Sequence, residues 1–347
     1  MPEPSETRPA DADAQAARLM GLVTSSWKSQ AVYAAAELRL PDLLAAGPRT
    51  SDDLAAAVGA HPQALYRLLR ALTSLEICRQ RDDGAFELAP LGALLREDSP
   101  DSLRSWTTYW GGFHWPIWGH LLESVKTGES ARRLLMGTAA FEHLTADPAV
   151  AATFNQAMVE LTRLVARDVA RVYDFTGLRR IVDVGGGYGE LLGAVLLAAP
   201  DAAGVLFDLP HAMDGARHHL QERGLAGRVE LVTGSFFESV PPADAYLLKS
   251  IIHDWDDEHS RLILANCRQA LAPGGRLLIV ERIMPERLAP TPADQANAAS
   301  DLNMLVGPGG RERTELEFRA LLAAAGFRLN RILPAGPTAN ILEALPA

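Results

Sequence analysis

The chain has 347 residues and a formal net charge of −10, from 33 basic and 43 acidic side chains. That balance argues against a nucleic-acid backbone as its partner, while 48% hydrophobic and 22% charged residues suit a globular protein long enough for two domains. No apolar run reaches the roughly 18–20 residues of a membrane span, and Cys78 and Cys267 lie too far apart to suggest a metal pair, so each is expected as a reduced interior residue.

Residues 1–13 are acidic, rich in Pro, Ser and Ala, and carry no basic-then-apolar signal. They read as a disordered leader on a cytoplasmic protein. From Ala14 to Ala46 apolar residues recur at helical spacing, among them Leu19, Met20, Leu22, Val23 and Trp27. So much apolar surface on terminal helices needs a cover, which a second subunit would supply. Thr50 is a good N-cap for a short helix ending at Gly59, and a second helix runs from about Pro62 to Leu75. Ile77–Gln80 and Ala85–Leu88 then flank Asp82-Asp83-Gly84, a hairpin signal. Helix, helix, hairpin over residues 14–100 is the pattern of a winged helix. In so acidic a chain a dimerising role is expected in preference to DNA reading.

Residues 101–172 read as a helical connecting segment dense in aromatics. Most of these are expected in helical core, but Trp110 and His114, with Gly111 and Gly112 between them, offer a cage for a planar aromatic substrate. Residues 173–347 alternate strands and helices. Strands are expected at Arg180–Val184, Ala203–Phe207, Val229–Thr233, Ala243–Leu248 and Arg276–Glu281, the last preceded by a turn at Pro273-Gly274-Gly275. Helices are expected at Glu190–Ala198, Met213–Arg223 and Asp257–Leu271. Two final strands, joined tightly around Gly336-Pro337, add an antiparallel edge to a parallel sheet.

The chemistry gathers beyond the carboxyl ends of these strands, where open α/β sheets bind ligands. Gly185-Gly186-Gly187-Tyr188-Gly189 follows the first strand, and Gly185 and Gly187 let a ligand approach the backbone. The spacing is G-x-G-x-G, and Glu190 stands where a dinucleotide site needs a third glycine. An acid there repels a pyrophosphate but tolerates an ammonium. Asp208, at the end of the second strand, is placed to accept two ribose hydroxyls. With Asp183 before the loop, this pattern suits S-adenosylmethionine. After the third strand Ser235 and Phe236 face the adenine position. After the fourth comes Lys249-Ser250-Ile251-Ile252-His253-Asp254-Trp255. His253, with an ordinary pKa near 6.5, suits a general base at neutral pH. Glu281 and Glu312 arrive from other segments to orient its ring, whereas Asp254, as a sequence neighbour, either joins them or secures the loop.

These motifs, with Phe207-Asp208-Leu209-Pro210, Asp301-Leu302-Asn303-Met304-Leu305 and Gly310-Arg311-Glu312-Arg313-Thr314, resemble the class I S-adenosylmethionine-dependent O-methyltransferases. Plant caffeic acid and flavonoid methyltransferases typify that family, and bacterial relatives act on anthracyclines, mitomycins and phenazines. The resemblance covers nearly the whole chain. It implies an α/β fold: a Rossmann-like methyltransferase sheet with an antiparallel edge strand, preceded by a mostly α-helical winged-helix dimerisation domain. It implies a homodimer built through the N-terminal helices, a small aromatic acceptor, S-adenosyl-L-homocysteine as product, and no metal, nucleic acid or membrane. It places Asp208 and Leu209 on the ribose side, Lys249 near the cofactor, and His253 as base held by Glu281 and Glu312. Phe154 and Met158 would touch the acceptor ring, with Asp301, Asn303 and Met304 on the acceptor side. Ser235 departs from the family, which usually has an aspartate there for the adenine amine. A neutral hydroxyl is a weaker partner than a charged one.

Three rival readings are carried forward. An N-methyltransferase of an aza-aromatic ring would need no base. A nicotinamide-dependent dehydrogenase is disfavoured by Glu190, and a winged-helix regulator sensing S-adenosylmethionine by the charge balance and the complete His-Glu-Glu set.

Overall fold

The computed structural model describes residues 10–137 and 141–347. Residues 1–9 of the expected leader lie outside the described residues, whereas residues 10–13 belong to helix Ala10–Val23.

Two compact units divide the chain, Met1–Gly112 and Phe113–Ala347. The division falls within the expected connecting segment 101–172. Its first residues are tied into the N-terminal unit: Gln30 Nε2 donates to the Gly111 carbonyl at 2.9 Å, and Tyr33 packs so closely that a Cβ on Gly111 has no room. Its longest helix, Pro148–Val172, belongs to the second unit and packs along helix Glu190–Ala198.

In the N-terminal unit, helices Ser51–Val58 and Pro62–Ser74 precede the hairpin of β1 (Cys78–Gln80) and β2 (Phe86–Leu88), paired Cys78 to Leu88. Thr50 caps the first of these helices by accepting the Asp53 amide at 3.2 Å, and Gly59 ends it in the left-handed region at φ +66°. Leu54, Leu65, Leu69, Leu72 and Phe86 close the core. On the preceding helices Leu19, Met20, Leu22, Val23 and Trp27 stay 62–72% exposed, the uncovered apolar surface that the sequence pattern foresees.

In the second unit seven strands form one sheet: β3 (Arg180–Val184), β4 (Ala203–Asp208), β5 (Val229–Thr233), β6 (Ala243–Lys249), β7 (Leu271–Glu281), β8 (Phe327–Pro334) and β9 (Asn340–Pro346). Their spatial order is β5-β4-β3-β6-β7-β9-β8. β3 to β7 are mutually parallel; β9 runs antiparallel to both β7 and β8, so the antiparallel pairing falls at that edge of the sheet. Continuous apolar runs such as Ile181-Val182 and Tyr246-Leu247-Leu248 are fully buried because helices cover both faces. β7 starts earlier than expected. Leu271 pairs with Ala243 and pairing resumes at Arg276 with Ala245, so Pro273-Gly274-Gly275 becomes an excursion within the strand. Gly274 makes it possible at φ +75°.

Candidate active site

The reversal of strand order lies between β3 and β6, and the carboxyl ends of those strands carry the glycine loop and the His253 turn. The loop is shaped by contacts that only glycine permits. Gly185, Gly187 and Gly189 all adopt positive φ. A Cβ on Gly186 would stand 2.7 Å from the Asp183 carboxylate. Asp183 therefore sits beneath the loop: its side chain is 2% exposed and Oδ2 has no partner among the described residues. Burial, and then the charge of Asp208, push its pKa up to about 7.

Asp208 spans the loop. Oδ2 accepts the Gly187 amide at 2.7 Å and Oδ1 accepts the Leu209 amide at 2.6 Å. Each oxygen keeps a lone pair for a further donor. Glu190 is not an idle acid at a helix N-terminus. It meets His219 Nε2 at 2.8 Å and Arg223 Nη1 at 2.5 Å, tying its helix to helix Met213–Glu222. After β5, Phe236 packs edge-on to Phe237 and Trp255, its carbonyl accepts from Asn266 Nδ2 at 2.9 Å, and the Ser235 hydroxyl accepts the Phe237 amide. Lys249 ends β6 among Asp254, Asp183 and Glu281; burial outweighs those carboxylates and lowers its pKa to about 8.

His253 occupies a 3₁₀ turn, Ile252–Asp254. Ser250, just before it, holds φ +56°, a conformation rare for a non-glycine residue. That bend points three consecutive amides at one oxygen: Glu281 Oε1 accepts from Ile251, Ile252 and His253 at 3.1, 2.7 and 3.3 Å. Glu281 thus grips the backbone of the turn by hydrogen bonds, and its charge also acts on the imidazole, raising the His253 pKa. Its hydrogen bonds go to the three buried amides, whose need is the more stringent.

The ring itself is oriented by Glu312. Nδ1 lies 3.1 Å from Glu312 Oε1, which also accepts the Ser300 hydroxyl at 2.7 Å. In the neutral ring this contact favours the tautomer with its proton on Nδ1, which leaves Nε2 as the basic nitrogen. Asp254, contrary to the rule for sequence neighbours, comes to 3.6 Å from Nε2, because the tight turn folds it back. Burial works against a charge on His253, yet Asp254 and Glu312 outweigh it and raise its pKa to about 9. The carboxylates therefore favour the imidazolium, and the ring becomes a base as pH rises toward that value.

Two residues of the neighbouring motif also support this group. The Glu312 amide donates to Asp301 Oδ1 at 2.9 Å, so Asp301 holds the backbone from which Glu312 projects. Arg313, 1% exposed, donates to the carbonyls of Ile252 and Trp255, both at 2.8 Å, and so clamps the ends of the His253 turn. Sequence reasoning passed over Arg313. Its only signal was a second arginine flanking Glu312.

Around the turn, Asn303 Oδ1 accepts from both His114 Nε2 and Trp118 Nε1 at 3.0 Å. Burial, then the charge of Arg132, lowers the His114 pKa to about 3, so this ring is neutral and donates. Met304 is buried on the same helix, Pro292–Val306. Phe154 and Met158, four residues apart, share a face of helix Pro148–Val172, and Phe154 reaches Trp255 through Phe141. Trp110 belongs to the N-terminal unit, where it packs edge-on to Trp106 and Tyr109. Among the described residues no group of three His, Cys, Asp or Glu is arranged to hold a metal ion, and no helix is long and apolar enough to cross a membrane.

Comparison with known proteins adds names to this geometry. Residues 118–328 match the family model of an O-methyltransferase domain, and residues 20–98 that of an O-methyltransferase dimerisation domain. The chain is 40% identical over 329 residues to a phenazine O-methyltransferase of Lysobacter antibioticus, covering 94% of this chain and 95% of the relative. It is 40% identical over 321 residues to the 8-amino-8-demethylriboflavin N,N-dimethyltransferase of Streptomyces davaonensis, covering 90% of each. Among solved structures, an O-methyltransferase from neocarzinostatin biosynthesis, in complex with S-adenosylmethionine and 2-hydroxy-5-methyl naphthoic acid, superposes with a TM-score of 0.79 at 34% identity. That match covers 92% of this chain and 96% of the other.

Proposed function

Because the chain belongs to the O-methyltransferase family, with both its catalytic and its dimerisation domain, we propose that it transfers a methyl group from S-adenosylmethionine to a hydroxyl of a small aromatic acceptor. The observation that carries the choice of a hydroxyl is the His253 turn: a ring fixed by Glu312 at Nδ1, whose Nε2, 3.6 Å from Asp254, is the nitrogen that would meet a proton. An amine or ring nitrogen attacks through a lone pair it already holds, and such a device would be superfluous. A riboflavin N,N-dimethyltransferase at 40% identity supports nitrogen as the second reading. The protein would act in the cytoplasm as a homodimer, with the exposed Leu19–Trp27 surface covered by its second copy.

The residues fit the cofactor. Asp208 retains lone pairs for the ribose hydroxyls, Phe236 offers a face to the adenine, and the glycine loop admits a close approach. Ser235 would read the adenine amine through a neutral hydroxyl. Asp183 supports the loop from below, and Lys249 adds positive charge between the two halves of the site. When bound, S-adenosylmethionine supplies an electrophilic methyl group. Phe154, Met158, Asn303, Met304 and His114 would hold the acceptor ring in line with it, an alignment that supplies on the order of 7–11 kcal/mol in such reactions. His253 Nε2 then takes the hydroxyl proton, and Glu312 with Asp254 stabilises the imidazolium that results. No metal is required by this scheme.

The carboxylates make a signed prediction. The His253 pKa is raised, so the active neutral form grows as pH rises and is complete only above about 9. For an acceptor phenol whose own pKa is near 10, kcat/KM, which reports the free enzyme, should climb about tenfold per unit from pH 6.5 to pH 8.5 and level near 9. Glu312→Gln removes one of the charges that raise the pKa, and its break should move toward 6.5. Rates of label transfer from S-adenosylmethionine at a series of pH values check this. A wild-type plateau that already begins near pH 7 would contradict the His253 assignment.

A further inference from the structure

Asn155 lies on helix Pro148–Val172, one residue beyond Phe154 and three before Met158. Its side chain is 3% exposed, yet Nδ2 has no hydrogen-bond partner among the described residues. Buried amide donors are almost always satisfied, and an exception calls for an explanation, a bound group foremost. The position of the amide supplies one. Its Oδ1 is 3.9 Å from where a Cβ on Gly187 would stand, so the amide overlooks the glycine loop. The same amide acts as a donor toward the Tyr188 phenol, lowering its pKa against the burial that raises it, without closing a hydrogen bond of ordinary geometry.

The loop has two aspects. At Gly185 a Cβ would meet Ile251 and Phe236, the side assigned above to the nucleoside. At Gly187 it would meet Asn155. The Gly187 amide is already given to Asp208, and Glu190, the nearest acid at the helix start, is held by His219 and Arg223. A ligand group that reaches the Gly187 side can therefore accept a hydrogen bond from Nδ2. With the ribose on Asp208, the amino-acid end of S-adenosylmethionine is what remains, and of its two charged groups only the carboxylate accepts.

We propose that Asn155 Nδ2 donates to the α-carboxylate of S-adenosylmethionine, making Asn155 a cofactor-binding residue on the helix that also bears the acceptor-facing Phe154 and Met158. The assignment rests on the cofactor reading given above. It also joins cofactor occupancy to the acceptor wall through one helix.

Isothermal titration of the full chain with two ligands tests it. S-Adenosylhomocysteine carries the amino acid, whereas 5′-methylthioadenosine keeps the nucleoside thioether and lacks it. Asn155→Ala should weaken S-adenosylhomocysteine about ten- to hundredfold and leave 5′-methylthioadenosine unchanged, the latter also reporting that the variant is folded. Asn155→Asp, nearly the same size, should weaken S-adenosylhomocysteine further, because a carboxylate then faces a carboxylate. Equal losses for both ligands, or no loss for either, would overturn the assignment while wild-type binding leaves the cofactor reading standing. Failure of the wild-type chain to bind either ligand would overturn the cofactor reading itself, and this assignment with it.

Discussion

His253→Ala is expected to lower kcat for a hydroxyl acceptor by about 10²–10⁴-fold while changing cofactor affinity little. That range is what a positioned proton acceptor contributes. The argument rests on where the ring is tied. Glu312 takes Nδ1, Ser300 fixes Glu312, and Asp301 fixes the Glu312 amide, so Glu312 and two residues of helix Pro292–Val306 specify a single ring orientation. The turn below is gripped separately by Glu281. Removing the imidazole therefore leaves the backbone of the turn in place, and a loss of rate can be read as loss of the base. Steady-state rates at saturating S-adenosylmethionine, pH 9, give the number. A loss below tenfold would mean that the acceptor oxygen arrives already ionised and that His253 only positions it.

Arg313→Met should cost about 2–6 kcal/mol of stability. The guanidinium is almost wholly enclosed and makes hydrogen bonds to Ile252 O, Trp255 O, Ser260 Oγ and Asp257. Methionine fills much of the volume but takes from the two carbonyls at the ends of the His253 turn their shortest donor, leaving them only the longer contacts from Ser260 Oγ and, for Ile252, the Trp255 amide, at up to about 1–3 kcal/mol for each buried group. Arg311 offers the control. It pairs with the same Asp257 at 2.7 Å, but both side chains are about half exposed, and a surface pair is worth about 0–1 kcal/mol. Urea unfolding of the two variants compares them directly. Equal effects, or a loss under 1 kcal/mol at Arg313, would show that the turn does not depend on this clamp.

The fold was readable wherever burial forces a pattern. Arg180–Val184 and Val229–Thr233 match the expected strands residue for residue, as does helix Glu190–Ala198; the central strand β3 is buried along almost its whole length and reads as an apolar run, whereas β5, at the sheet edge, is marked by its β-branched residues. The excursion at Pro273-Gly274-Gly275 was not, since whether such a turn precedes a strand or interrupts it depends on the register of its neighbour β6. The candidate site divides in the same way. The residue types at the strand ends announced the chemistry, but their partners are set by backbone geometry. Glu281 serves three amides only because Ser250 bends the chain at positive φ, and Asp254 meets its own neighbour only because the turn is 3₁₀. The His253 pKa follows from those placements, and no property of an isolated histidine foretells it. Asn155 was hidden for a different reason: a single polar residue within an apolar helix face has no sequence signature, and only the unpaired Nδ2 marks it.

The choice of oxygen over nitrogen is the central claim, and one reaction tests it most directly. An aromatic acceptor bearing a hydroxyl and an amine on adjacent carbons offers both nucleophiles to the same site in the same pose. Incubated with the protein and S-adenosylmethionine at pH 9, it should yield the methyl ether as the main product by NMR, with the ether lost selectively in His253→Ala. Methylation of the amine as the main product, with a rate indifferent to His253, would contradict the account and make this chain an N-methyltransferase.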